Sequence, residues 1–154
     1  MSGATVELMD LRDLYQEVIL DHNKRPRNFG SIEGGSHAAG HNPMCGDRVS
    51  VYVRMEGGKV AEARFIGNGC AISKASASMM TEAVTGHTPE EVRDMFSTFQ
   101  EMVTGKTEPD DEKVGKLVVL SGVSEYPSRV KCAMLAWHAL QAAIDGANAT
   151  VTTE

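Results

Sequence analysis

The period of hydrophobic residues changes abruptly at Cys70, and this change restricts the fold more than any other feature of the chain. Upstream, apolar residues alternate with polar ones over residues 49–55 and 60–66, with Glu56-Gly57-Gly58 between the two runs. Alternation on both sides of a glycine turn predicts two antiparallel strands. Downstream, apolar and small residues recur at helical spacing over residues 72–83, which predicts a helix. Strands followed by helices indicate an α+β domain.

Helical signals cover most of the remaining chain. Thr88 is suited to cap a helix, Pro89 fits its first turn and Glu91 completes a capping box. Other helices are predicted at residues 8–22, around 114–120 and at about 127–145. Residues 27–46 are rich in glycine and proline, which predicts the most loop-like part of the chain.

We therefore expect an α+β fold in which a small antiparallel sheet of about three strands packs against helices. A chain of 154 residues matches one domain, since domains average roughly 150 residues. We expect a single domain over residues 1–154, with its core at about 8–145 and with flexible termini. The tail from residue 146 onward is expected to fray.

Composition and charge argue against several classes of protein. The chain carries 15 Lys and Arg against 21 Asp and Glu, a formal net charge of -6, so no nucleic-acid partner is expected. The uncharged run at residues 133–144 is shorter than the roughly 20 residues of a membrane span, so no membrane association is expected. The first fifteen residues contain Glu7, Asp10 and Asp13 and no apolar block, which predicts no secretory or transit signal. Three cysteines cannot form a closed set of disulfides, and we expect a cytoplasmic location, where thiols stay reduced.

The three cysteines lie in contexts that favour ionised thiols or metal ligands. Cys45 and Asp47 are separated by one glycine, so their side chains project to one side of an extended segment. Cys70 directly precedes a predicted helix, whose N-terminus favours a thiolate, and Cys132 follows Arg129 near the start of the last helix. Ordinary interpretations remain open, with Cys132 as a buried apolar residue and Asp47 as a solvated carboxylate. The intervals between the cysteines match neither a zinc finger nor a ferredoxin.

Five short motifs occur in order along the chain. They are Leu14-Tyr15-Gln16, Pro26-Arg27-Asn28-Phe29-Gly30, Asn42-Pro43-Met44-Cys45-Gly46-Asp47, Gly69-Cys70-Ala71-Ile72-Ser73-Lys74-Ala75-Ser76-Ala77-Ser78 and Arg129-Val130-Lys131-Cys132-Ala133. Together these motifs resemble the iron–sulfur cluster assembly proteins of the IscU/NifU type. Within that family the chain is most similar to the SufU branch.

Three features distinguish the chain from the IscU branch and make it more similar to the SufU branch. The segment between Cys70 and Cys132 is longer than in the IscU branch, and Lys131 stands where that branch has a histidine. The Leu-Pro-Pro-Val-Lys segment that a chaperone recognises in the IscU branch is replaced by Glu125-Tyr126-Pro127-Ser128-Arg129. The resemblance therefore implies neither scaffold activity of the IscU kind nor dependence on a dedicated chaperone.

The resemblance implies an IscU/SufU-like fold and a site formed by Cys45, Asp47, Cys70 and Cys132. In SufU-type proteins such a site holds one Zn²⁺ ion while the protein accepts persulfide sulfur from a cysteine desulfurase, here a SufS-like partner. By the same analogy Cys45 is the sulfur acceptor, and Arg129 is a candidate for steering the anionic persulfide. The protein would serve the desulfurase as an acceptor of the sulfurtransferase kind rather than turn over independently.

Two other functions would use the same ligands. The four side chains could bind iron as a [2Fe–2S] cluster that is built on this chain and passed on, or hold a zinc ion with a purely structural role. The downstream partners are expected to be other assembly proteins or apo-protein recipients, and the chain itself a monomer or weak homo-oligomer. His41, four residues before Cys45, is a candidate for orienting a ligand through a hydrogen bond.

Overall fold

A computed structural model describes residues 15–44, 46–146 and 150–152 of the chain. Residues 15–24 are helical and form α1, which ends ahead of Pro26. Proline disfavours a helical conformation in the residue before it, so the helix ends where the sequence predicts. The N-terminal helix predicted over residues 8–22 is present from residue 15, and residues 8–14 lie outside the described part.

A four-stranded sheet forms the centre of the fold. β1 (Ser36–Asn42), β2 (Asp47–Glu56) and β3 (Lys59–Asn68) are antiparallel neighbours, and β4 (Thr150–Thr152) pairs in parallel with β1, giving the order β3-β2-β1-β4. The predicted hairpin is confirmed, with Gly57 and Gly58 at φ 61° and 76° in its turn. Glycine adopts these left-handed values without steric cost. The expected antiparallel sheet of about three strands is therefore confirmed, with a short parallel strand added.

Two segments form strands where the sequence predicts irregular structure. β1 lies in the stretch predicted to be loop-like, and β4 lies in the tail that was expected to fray. Within β1, a Cβ on Gly40 would lie 3.0 Å from Leu135 Cδ1. The glycine therefore allows the last helix to approach the strand closely, and its presence marks tight packing rather than a loop.

Most helices begin and end near their predicted positions. They are α2 (Ala71–Val84), α3 (Pro89–Val103), α4 (Asp111–Val114) and α5 (Pro127–Ile144). The capping box of α3 is confirmed, because Glu91 N donates to Thr88 Oγ1 at 3.2 Å and Thr88 N donates to Glu91 Oε1 at 3.0 Å. The short helix predicted around residues 114–120 is wrong in type and length, since Gly115–Glu125 forms a 3₁₀ helix. Gly115 has φ 58°, a left-handed value that ends α4.

Helices α2 and α5 pack side by side on one face of the sheet. α5 lies across β1 and β2, and α2 lies against β3. Beneath them Val49, Val51 and Val53 of β2 are buried, as expected from their alternation. Ser76 Oγ of α2 donates a 2.6 Å hydrogen bond to the carbonyl oxygen of Ala133 in α5. The packing brings the start of β2 close to the first turns of both helices.

Among the described residues, no helix is long and apolar enough to cross a membrane.

Candidate metal site

Three of the four residues expected at the metal site lie together. Asp47 is the first residue of β2, Cys70 immediately precedes α2, and Cys132 lies in the second turn of α5. One ligand atom from each residue can be chosen so that all three lie within 4.8 Å of one another. The fourth expected ligand, Cys45, lies outside the described residues. The Asp47, Cys70 and Cys132 side chains are called the ligand cluster below.

The Asp47 carboxylate holds Cys70 in place. Its Oδ1 accepts a hydrogen bond from the Cys70 backbone N–H at 2.9 Å, and its Oδ2 lies 3.6 Å from Cys70 Sγ. Cys70 also caps α2, because its Sγ accepts the Ser73 backbone N–H at 3.5 Å. The sulfur therefore lies at a helix N-terminus, where the dipole and the unpaired N–H groups attract negative charge.

The ligand cluster is closed to solvent except at Cys70. Cys132 and Asp47 are 0% and 1% exposed, whereas Cys70 is half-buried. A charged carboxylate at this depth is stable only beside hydrogen-bond donors or a cation. Gly69 makes room for it, because a Cβ at that position would lie 2.8 Å from Asp47 Oδ1. In the sequence this glycine was noted only as the first residue of the motif that contains Cys70, so its role in the site was missed.

Arg129 lies at the solvent-exposed side of the ligand cluster, in the first turn of α5. The negative charge of Cys70 raises the pKa of its guanidinium, and hydrogen bonding to Cys70 and the charge of Cys132 act in the same direction. The guanidinium therefore faces both sulfur atoms. This is a position from which it can attract an anionic sulfur group that enters beside Cys70.

His41 faces away from the ligand cluster. It is the pairing partner of Arg48, and both residues line a shallow depression on the outer face of the sheet. Successive residues of a strand point to opposite faces, and in β1 the buried neighbours are Gly40 and Asn42. His41 is therefore not placed to orient a ligand of this cluster, and this candidate role is not supported.

Asn42 is a buried polar residue beside the ligand cluster that sequence reasoning missed. It is 1% exposed and is the pairing partner of Asp47 in neighbouring strands. Its Oδ1 accepts the Met44 backbone N–H at 3.1 Å, whereas its Nδ2 has no hydrogen-bond partner among the described residues. The only sequence signal is that asparagine precedes Pro43, which indicates a turn and says nothing of burial.

The donor set of the ligand cluster fits a tetrahedral Zn²⁺ ion. With Zn–S near 2.3 Å and Zn–O near 2.1 Å, a sulfur and an oxygen on one tetrahedral edge lie about 3.6 Å apart. The distance from Cys70 Sγ to Asp47 Oδ2 is 3.6 Å. If all three described side chains bind the ion, one tetrahedral position is left, and the sequence analysis expects Cys45 to fill it. Thiolates also suit iron–sulfur clusters, so the donor chemistry does not select zinc over iron.

Comparisons with known proteins agree with this combination of fold and donors. The chain is 43% identical to the iron-sulfur cluster assembly scaffold protein IscU of Streptococcus pyogenes serotype M1 over 148 residues, which are 96% of this chain and 93% of that protein. It is 43% identical to the zinc-dependent sulfurtransferase SufU of Bacillus subtilis (strain 168) over 132 residues, 86% of this chain and 90% of that protein.

The fold is shared with solved structures of such proteins. A crystal structure from Fervidobacterium islandicum AW-1, described as a proposed iron–sulfur cluster assembly scaffold protein for the SUF system, has a TM-score of 0.78 and 36% identity. The match covers 83% of this chain and 94% of that chain, which confirms the expected IscU/SufU-like α+β fold. Residues 14–133 match the family described as NifU-like N terminal domain, and the chain belongs to that family.

Proposed function

We propose that this chain is a zinc-bearing sulfur acceptor in iron–sulfur cluster assembly, which takes persulfide sulfur from a cysteine desulfurase. The observation that carries the proposal is the convergence of two thiols and a carboxylate from three elements of the fold. The B. subtilis relative, which is named a zinc-dependent sulfurtransferase, supports it. An exposed arginine beside the two sulfur atoms adds a group that attracts anionic sulfur.

Asp47, Cys70 and Cys132, with Cys45 as the fourth ligand, would hold the zinc ion. Bound zinc keeps its cysteine ligands deprotonated. Asp47 is the ligand least matched to a thiolate-rich site, because its oxygen is harder than sulfur. Its Oδ1 also accepts the backbone N–H of Cys70, so Asp47 positions Cys70 whether or not its other oxygen stays bound to metal.

Sulfur transfer requires a thiolate on this chain and a persulfide on the desulfurase. In the proposed step the Cys45 thiolate attacks the outer sulfur of the donor persulfide, R–S–SH. An S–S bond forms on Cys45 while the S–S bond of the donor breaks, and its electron pair leaves on the cysteine thiolate of the donor. The outer sulfur carries its proton across and can lose it to solvent. The step is an exchange of equal oxidation states, so it needs no added oxidant or reductant.

Exposed apolar side chains next to the site suit a docking partner. Met44, which precedes Cys45, is 79% exposed, and Tyr126, which precedes α5, is 60% exposed. Large apolar side chains at the surface contribute strongly to protein contacts. We assign these two residues to the contact with the desulfurase. The proposal places this contact in the cytoplasm, because the thiols must stay reduced between transfers.

A scaffold for [2Fe–2S] assembly is the second candidate function. The S. pyogenes relative is named an assembly scaffold protein, and two cysteines with a carboxylate can ligate cluster iron as well as zinc. In this case the cluster is cargo, built on the ligand cluster and passed to apo-protein recipients. The partial exposure of Cys70 would give the recipient access to one of the ligands.

Elemental analysis followed by intact-mass measurement tests these functions. Wild type and Cys70→Ser are purified without oxygen, and we expect about one zinc per colourless wild-type chain and a loss of zinc in the variant. Wild type is then incubated with a desulfurase and cysteine, and it should gain a one-sulfur mass adduct that Cys45→Ser fails to gain. A brown protein with iron and sulfide would favour the scaffold. If the protein binds zinc but neither gains an adduct nor stimulates alanine release, the site is structural and the proposal of sulfur transfer is overturned.

A further inference from the structure

The amide nitrogen of Asn42 is a buried hydrogen-bond donor without an acceptor. The residue is 1% exposed, and Nδ2 has no hydrogen-bond partner in the described part of the chain. Folding a protein around an unsatisfied amide N–H costs free energy, and native structures contain few of them. Such a group is available to donate to a molecule or ion that joins the protein.

The orientation of this amide follows from the partner of its oxygen. The Met44 backbone N–H lies 3.1 Å from Oδ1, and only the oxygen end of an asparagine can accept this bond. The two N–H groups of Nδ2 therefore point away from Met44. The oxygen end orders the turn that leads into Cys45, and the nitrogen end is left for a second partner.

Asn42 projects from the sheet on the same face as Asp47. The two residues are directly paired in the antiparallel β1–β2 ladder, where paired side chains have Cβ atoms about 4.5–5.5 Å apart. Asp47 does not satisfy the donor, because Nδ2 makes no hydrogen bond to any described residue, while the Asp47 oxygens contact Cys70. The missing acceptor is therefore a group that arrives beside the ligand cluster.

We propose that Asn42 Nδ2 donates a hydrogen bond to the transferred sulfur and holds it in the site. This inference rests on the proposed function and identifies a sulfur-binding residue within it. The terminal sulfur of a persulfide is an anionic acceptor, and hydrogen bonds to charged acceptors are stronger than neutral ones. In the sequence, Asn42 lies three residues before Cys45, the expected acceptor. Because Asn42 is buried, a sulfur that it binds is also shielded from thiols in solution.

Two substitutions separate the donor from the acceptor of this amide. Asn42→Ser keeps a side-chain oxygen that can accept the Met44 N–H and replaces the amide donor with a hydroxyl that is one bond shorter and does not reach the position of Nδ2, whereas Asn42→Ala loses both groups. Asn68→Ser is the matched control, because Asn68 is an exposed asparagine at the end of β3. Each protein is loaded with sulfur by a desulfurase and cysteine, freed of the donor and mixed with dithiothreitol. Intact mass then follows the lifetime of the one-sulfur adduct, and zinc content and unfolding midpoint are measured on the same samples.

We expect Asn42→Ser to keep the zinc content and unfolding midpoint of wild type and to lose the adduct about tenfold faster. Asn42→Ala should lose it at least as fast, and Asn68→Ser should match wild type. An unchanged adduct lifetime in Asn42→Ser would overturn the inference and leave sulfur transfer standing. A wild type that gains no adduct would overturn both. If Asn42→Ser does not fold, Asn42→Thr repeats the test, and failure of both hydroxyl variants to fold would assign Asn42 to the fold alone.

Discussion

Gly69 shows how one absent side chain shapes the metal site. A Cβ at this position would lie 2.8 Å from Asp47 Oδ1 and 3.0 Å from its Cγ, so the carboxylate would have to move. The same Oδ1 accepts the Cys70 N–H, and a shift would disturb both residues. We expect Gly69→Ala to bind zinc about tenfold more weakly or worse, as is common when groups that orient ligands are disturbed. Competition with a zinc-binding chromophore measures this loss.

Gly122→Ala is the matched control for that substitution. A Cβ on Gly122 would meet no atom within 4 Å, and its φ is not among the positive values. The control should therefore keep the zinc affinity of wild type. Wild-type affinity in Gly69→Ala as well would show that the Asp47 carboxylate can shift without loss of the ion.

Site residues whose role depends on their own chemistry could be predicted from the sequence, whereas those whose role depends on contacts with distant residues could not. Cys70 was singled out because it precedes a helix start, and it caps α2 in the structure. Asn42 was missed because its importance comes from its pairing with Asp47 across two strands. Gly69 was missed because its role is set by an atom of Asp47 that lies far away along the chain. Local patterns carry no information about which strand residues become neighbours.

At the level of elements, the contact between α2 and α5 sets the separation of two expected ligands. Cys70 caps α2 and Cys132 lies within α5. The buried hydrogen bond from Ser76 Oγ to the Ala133 carbonyl, 2.6 Å long, joins the helices one residue beyond Cys132. We expect Ser76→Ala to lower the free energy of unfolding by about 1 kcal/mol. In a domain of this size that lowers the unfolding midpoint by about 2–4 °C, which calorimetry measures.

Thr98→Ala is the matched control for Ser76→Ala. Thr98 Oγ1 also donates to a carbonyl, that of Asp94 at 2.8 Å, but the bond stays within α3 and is exposed. Its removal should leave the midpoint close to that of wild type, because water replaces an exposed partner. Equal midpoints for the Ser76 and Thr98 variants would contradict a stabilising role for the interhelical bond.

The elements that sequence patterns predicted best are those with a complete local signal. The capping box at Thr88 and the glycine turn at Gly57 each contain all their parts within a few residues. β1 was missed because Gly40 serves packing against Leu135, and glycine in a strand looks like a turn signal. The 3₁₀ helix was taken for an α-helix because a few apolar residues cannot distinguish periods of 3.0 and 3.6 over so short a segment.

Across the whole molecule, the buried His22 and the half-buried His138 link stability to pH. His22 of α1 has its Nδ1 2.7 Å from Ser78 Oγ, which also accepts the Arg27 N–H at 2.8 Å. The Ser78 hydroxyl can donate its own proton to Nδ1, which the neutral ring accepts when its proton is on Nε2. Burial lowers the pKa of His22, and the charge of Arg27 acts in the same direction. Burial also lowers the pKa of His138, so the folded state favours both rings in their neutral form.

The sign of the pH effect follows from this preference. An unfolded histidine binds a proton as the pH falls through its ordinary pKa of about 6.5. The folded rings bind theirs only at lower pH, so over that interval the unfolded state holds more protons. Their contribution to stability is therefore complete above about pH 6.5 and is lost as the pH falls towards the folded pKa. The slope is at most about 1.4 kcal/mol per pH unit for each histidine.

Replacing His22 should remove its share of this slope. Asparagine is a suitable replacement, because in His22→Asn the side-chain oxygen can accept the Ser78 hydroxyl proton in place of Nδ1. We expect the free energy of unfolding of His22→Asn to fall less steeply than that of wild type between pH 6.5 and 5, with the remaining slope due to His138. Denaturant titrations at several pH values measure both slopes. His37→Asn is the control, because His37 is exposed on the outer face of the sheet. If the free energy of unfolding of His22→Asn falls with pH as steeply as that of wild type, the buried His22 does not link α1 to the pH response.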